Sequence, residues 1–202
     1  MSASGRGWTY ALVAALGLAL AASGKADTAT AATGGGPATT GAGSNVPPRS
    51  VDIHRLEDPP RIDGSLEPIW QQGDSTSGFV QNQPFEKTPP TEQTTVYLLQ
   101  DDDNLYVAFR CYARRHPPTA NYTKDEDYVT VSFDPFGSRT TGYYFTVYGS
   151  GMFVEGLTED DGRVQDASWE GVWYHADRVY SDRLEVEMKI PFKTVRFREG
   201  LA

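Results

Sequence analysis

Two runs of β-forming residues, 94–100 and 105–112, are separated by four polar residues, Asp101 to Asn104. In the second run Leu105, Val107, Phe109 and Cys111 alternate with Tyr106, Ala108, Arg110 and Tyr112. A period of two belongs to a strand with one face toward a core. Val96 and Leu98 give the first run the same stripe. A break this short cannot carry the chain across a sheet, so the two runs pair antiparallel as a hairpin. The remaining strands have to lie beside or over it.

Several follow. Val129, Val131 and Phe133 alternate in Tyr128 to Asp134, and Tyr143, Phe145 and Val147 share a face of Gly142 to Tyr148. Gly149-Ser150-Gly151 turns that strand back into Met152-Phe153-Val154. A further strand is expected over Trp169 to Arg178. Leu184, Val186, Met188 and Ile190 then alternate with Glu185, Glu187 and Lys189, which reads as a strand with one wet face; Pro191 ends it. Arg61-Ile62-Asp63 reads as a short strand entering a turn at Gly64, Pro68 as the first turn of a short helix that carries Trp70 into the core, Gly73 to Gly78 as a loop, and Phe79-Val80 as a short strand. Short antiparallel strands with apolar stripes need a second sheet to cover them, so the expected fold is an all-β antiparallel sandwich, jelly-roll or immunoglobulin-like.

The N-terminal quarter is of another kind. Arg6 followed by an uncharged Ala/Leu-rich run, Trp8 to Ala22, and small residues up to Ala26 reads as an export signal over residues 1–26. Of the next 24 residues, 27–50, 18 are Gly, Ala, Thr or Pro, too few apolar groups to offset ordering, so this is a flexible linker. The folded domain is expected over 51–202, exported to the periplasm, cell envelope or exterior, with no direct membrane insertion of its own. Nothing after Pro191 resembles a closing element, so the native polypeptide is expected to continue beyond Ala202.

With 27 acidic against 18 basic residues the net charge is −9, which argues against nucleic acid as a partner. The single cysteine, Cys111, sits on an apolar stripe as a small hydrophobe. With His54, His116 and His175 scattered it offers no zinc cluster. No nucleophile elbow, phosphate loop or carboxylate pair stands out from turn chemistry, so an enzyme is not expected. The acidic turns around Asp101, Asp103, Asp160 and Asp161 are candidate ligands for a structural calcium, against the plainer reading of solvated turns.

Four motifs add up to a resemblance: I-D-G-S-L-E-P-I-W (62–70), V-Y-L-L-Q-D-D-D-N-L-Y-V-A-F-R-C-Y (96–112), D-Y-V-T-V-S-F-D (127–134) and L-E-V-E-M-K-I-P-F-K-T-V-R-F (184–197). In this order the chain resembles the family 9 carbohydrate-binding module, and more closely a bacterial envelope group that carries such a module before a barrel-like C-terminal region. The resemblance implies a non-catalytic domain that binds a polysaccharide or oligosaccharide, in a larger protein linked to carbohydrate breakdown. It also implies an alternative, a structural or gating domain whose partner is the C-terminal region of its own chain. The family's stacking tryptophan falls at Lys124, its glutamate at Thr130 and its arginine at Thr146, so the known sugar site does not carry over. Trp169, Trp173, Tyr122 and Tyr144 remain as candidate carbohydrate-binding aromatics.

Overall fold

The computed structural model describes residues 11–15, 53–81, 88–115, 117–122, 126–135, 138, 140–160 and 164–195. The strands in chain order are β1 (Ala11–Ala15), β2 (His54–Arg55), β3 (Asp74–Thr76), β4 (Thr94–Gln100), β5 (Asn104–Tyr112), β6 (Tyr128–Phe133), β7 (Gly142–Tyr148), β8 (Phe153–Glu159), β9 (Val164–Asp166), β10 (Tyr174–Val179) and β11 (Arg183–Pro191). They form two sheets. One runs β1-β6-β7-β8-β9; the other runs β10-β11-β5-β4-β2, with β3 also on β4. The pairing is antiparallel except for β1 along β6 and β2 along β4, which are parallel. Ala11–Ala15 lies inside the stretch read as an export signal and runs along β6 over five residues.

The hairpin is present as the alternation predicts, with Val96 opposite Phe109 and Leu98 opposite Val107. Asp101 closes it: its carboxylate accepts the backbone N–H of Asp103 at 2.8 Å and of Asn104 at 2.7 Å, the local bonding that favours Asp in turns. The inward stripes of β4, β5 and β11 meet those of β6 and β7 in one core that includes Leu98, Phe109, Val131, Phe145, Val186 and Met188.

Five expectations need correction. The strand expected at Trp169 begins only at Tyr174. The Trp169 ring and Thr194 methyl stand 2.5 and 2.6 Å from where a Cβ on Gly171 would sit, so this stretch is shaped by side-chain packing before the ladder starts. Asp74–Thr76 is a strand where a loop was expected, pairing with Val96–Leu98, whereas Phe79–Val80 is not one. Arg61–Asp63 is a loop, and the cause lies on β11. Glu185 and Glu187 were expected on a wet face but are buried, at 2% and 0% exposure. Glu187 accepts the N–H groups of Asp63 and Gly64 at 2.9 and 2.7 Å and the indole N–H of Trp70 at 2.8 Å. Glu185 accepts the Leu66 N–H at 3.1 Å, with Arg110 at 2.8 Å and Arg183 at 3.0 Å. These bonds strap residues 62–70 across the outer face of the second sheet, where Leu56, Trp70, Leu99, Tyr106 and Ala108 form a second core.

Cys111 closes the inner stripe of β5, and burial pushes its thiol up to about 12. A thiolate that rare at neutral pH reacts slowly. Alkylation by iodoacetamide is therefore expected to be far slower than that of an ordinary cysteine. Labelling of the native protein within minutes, with the fold intact, would contradict this.

Candidate functional site

The turn at Gly149–Gly151 sets up a corner of the sandwich. Gly151 has φ +82, a region that glycine enters without strain, and a Cβ there would lie 3.3 Å from the Asp177 carboxylate on β10. The same turn is held from the other side, where the buried Glu126 carboxylate accepts the Ser150 N–H. A Cβ on Gly149 would touch Thr119 and Ala120 at 3.3 and 3.4 Å, which places the loop before β6 on this turn as well.

Aromatic rings collect beside the turn. Trp173 meets Phe145 at 5.1 Å, Phe153 at 5.7 Å and His175 at 5.1 Å between ring centroids. Phe153 meets His175 at 4.7 Å. Trp169 stands edge-on to Tyr143 at 4.9 Å and to Phe145 at 6.0 Å. The inner members close the end of the core, while Phe153 stays 51% exposed at the rim; its neighbour in sequence, Met152, and the neighbour of Trp173, Val172, are exposed as well. Polar groups border this apolar rim. The His175 Nδ1 atom is buried with no hydrogen-bond partner, and burial pushes the ring's pKa down, which keeps it neutral at pH 7. Burial and, next, the charge of Glu126 push the Asp177 carboxyl up. An exposed ring bordered by a few polar groups is the kind of surface on which a sugar ring stacks.

Two of the aromatics named from sequence, Trp169 and Trp173, are thus brought together on Phe145, both half-buried. Tyr122 is 71% exposed, in the loop that packs on the turn, and holds a left-handed backbone at φ 58. That conformation costs a non-glycine residue of order 1–3 kcal/mol and collects at functional positions. Tyr144 points to the opposite face of its sheet. It is buried, and it lies over Gly156, where a Cβ would come within 2.7 Å of its ring and hydroxyl. Phe153 and His175 were not singled out from sequence. Phe153 sits in an ordinary strand pattern, and only the meeting of β8 with the residues before β10 makes its ring a rim.

On that opposite face, Thr130 and Thr146 are cross-strand partners. At 8% and 6% exposure they hydrogen-bond each other at 2.8 Å, satisfying both hydroxyls internally. Lys124 lies outside the described residues. Thr130→Val is expected to cost about 1–3 kcal/mol, because it strands the Thr146 hydroxyl. The double variant Thr130→Val, Thr146→Val is expected to cost less than the two singles added together. Urea melts of the four proteins check this; strict additivity would count against the pair.

Of the calcium candidates, Asp101 is already engaged by Asp103, Asn104 and the Tyr106 hydroxyl, the last at 2.6 Å. Asp103 is exposed beside it, Asp160 follows β8 in a turn at φ 50, and Asp161 lies outside the described residues. Among the described residues no three His, Cys, Asp or Glu side chains converge on a metal position.

No family model matches the sequence, and no curated protein matches it. Solved structures do. One is a family 9 carbohydrate-binding module from Caldicellulosiruptor kristjanssonii in complex with glucose, at 19% identity over 72% of this chain and 71% of that chain, with a TM-score of 0.52. Another, from the same organism in complex with cellotriose, is 19% identical over 69% of this chain and 67% of that chain, with a TM-score of 0.51. The chain has the family 9-like sandwich fold.

Proposed function

We propose that the domain is a non-catalytic carbohydrate-binding module of a larger exported protein, and that it takes its sugar at the Phe153–Trp173 corner. The observation that carries this reading is the half-exposed Phe153 ring, braced by Trp173 and His175, on the fold of modules solved with glucose and cellotriose. A pyranose stacks its C–H face on such a ring, and Asp177 beside the turn offers an acceptor for its hydroxyls. Where the family resemblance places a glutamate and an arginine stand two threonines bonded to each other, which favours the corner instead.

The test is calorimetric titration of the full chain with glucose, cellotriose and a panel of other neutral oligosaccharides, with and without added calcium. Saturable heat with one of them is the expected result. A folded protein that binds none of them overturns the reading and leaves the structural or gating alternative, with the C-terminal region of the longer chain as partner. A calcium dependence of binding would bring the acidic turns at Asp101 and Asp160 back into the account.

A further inference from the structure

On the outer face of the second sheet, Tyr174, Lys189 and Tyr106 form one cross-strand row over β10, β11 and β5. The row floors a groove of about 390 Å³, walled on the other side by Pro59, Pro60 and Ile62. That volume lies within the range of small-ligand clefts. Tyr106 is fully buried, its hydroxyl fixed on Asp101. Tyr174, by contrast, is 54% exposed and offers a ring. The Lys189 ammonium sits between the two, 6.0 Å from the Tyr106 centroid and 5.8 Å from that of Tyr174.

The missing partner is the informative part. Acidic groups outnumber basic ones 27 to 18 in this chain. Arg110 and Arg183, on the same face, both hold Glu185. Lys189 has no carboxylate at ion-pair distance among the described residues, and its nearest aromatic neighbours are two tyrosine rings. The neighbouring acids are committed elsewhere: Glu187 to Asp63, Gly64 and Trp70, and Asp101 to its own turn and to Tyr106. A cation held over rings without a counter-ion leaves a place for an anion supplied by a ligand. The groove lies on the other face of β10 from the aromatic corner: Tyr174 turns outward with Lys189, whereas His175, in register with Met188, turns toward Trp173 and Phe153.

We infer that this groove binds a sugar bearing a carboxylate, a uronic acid residue of an acidic glycan, with Tyr174 stacked on the pyranose and Lys189 paired to its carboxylate. The inference rests on the carbohydrate-binding reading and names the ligand class. A neutral sugar gains from the ammonium only ordinary hydrogen bonds to its hydroxyls, weaker than the pair with a carboxylate. A free carboxylate of other origin lacks the ring face that Tyr174 offers.

The experiment titrates the full chain with trigalacturonate and with galactotriose, its uncharged counterpart, at two salt concentrations. Trigalacturonate is expected to bind at least tenfold more tightly and to weaken as salt rises, since screening acts on the Lys189 pair. Repulsion by the net negative charge alone would make salt strengthen binding. Lys189→Met is expected to cost trigalacturonate at least tenfold more than galactotriose, so that the preference is lost, while Lys189→Arg keeps it. A neutral sugar bound as tightly as the acidic one overturns the inference and spares the proposed function. Binding of neither sugar here, nor of any in the neutral panel, removes both. A uronate preference that survives Lys189→Met places the anion elsewhere and also overturns the assignment.

Discussion

Replacing Glu187 with alanine is expected to lower the unfolding free energy by roughly 3–4 kcal/mol, a large part of the 5–15 kcal/mol typical of a domain. The side chain is fully buried and holds three N–H donors, from Asp63, Gly64 and Trp70. Alanine strands all three under the second core and frees the strap of residues 62–70. Gly64 shows how tightly that strap is seated: it has φ +83, and a Cβ would come within 2.6 Å of the Asp177 carbonyl. Chemical denaturation, with Glu159→Ala as an exposed control expected to change stability by about 0.5 kcal/mol or less, measures the difference. A loss below 1 kcal/mol would show that the strap does not depend on this carboxylate.

The same pair of glutamates sets a pH dependence with opposite signs. Burial raises the pKa of Glu187 above its ordinary value in spite of its three donors. Its contribution is therefore fully present below the unfolded value and is lost as pH rises through the folded one. Burial also opposes the charge on Glu185, but there the Leu66 N–H, Arg110 and Arg183 prevail and hold the pKa low. That contribution is present above the unfolded value and is lost as pH falls through the folded one. Removing the titration with Glu187→Gln should thus cost more near pH 4 than at neutral pH.

These glutamates also mark the limit of what alternation reveals. The hairpin, β6, β7 and β11 were legible because each has an apolar stripe with period two. The pattern of β11 correctly put Leu184, Val186, Met188 and Ile190 inside. It misassigned the other face, because a buried carboxylate and an exposed one look alike until their partners are known. The partners lie about 120 residues earlier, in the I-D-G-S-L-E-P-I-W stretch. Nothing local reports a bond over that distance. The corner was half legible for a similar reason. Trp169 and Trp173 were named because aromatic faces suit the apolar faces of pyranose rings. Phe153 was passed over because a strand residue gives no sign that the facing sheet ends beside it.

Replacing Phe153 with alanine is expected to weaken sugar binding at the corner by about thirtyfold, or roughly 2 kcal/mol, the effect of removing a central aromatic contact. The melting temperature should move little, because half of the ring already faces solvent and its loss opens no closed cavity. Trp169→Ala is expected to behave in the opposite way. Its ring fills the space between Tyr143, Phe145 and Gly171, so truncation costs about 2–3 kcal/mol of stability. The loss of affinity should then be smaller than with Phe153→Ala, provided binding is measured where the variant is folded. Trp173 falls between the two, since it touches both the core ring Phe145 and the rim ring Phe153. Titrations paired with thermal melts for the three variants separate platform from buttress. If Phe153→Ala binds as the wild type does while Tyr122→Ala or Tyr144→Ala does not, the sugar lies on the loop or on the opposite face, and the corner is only the end of the core.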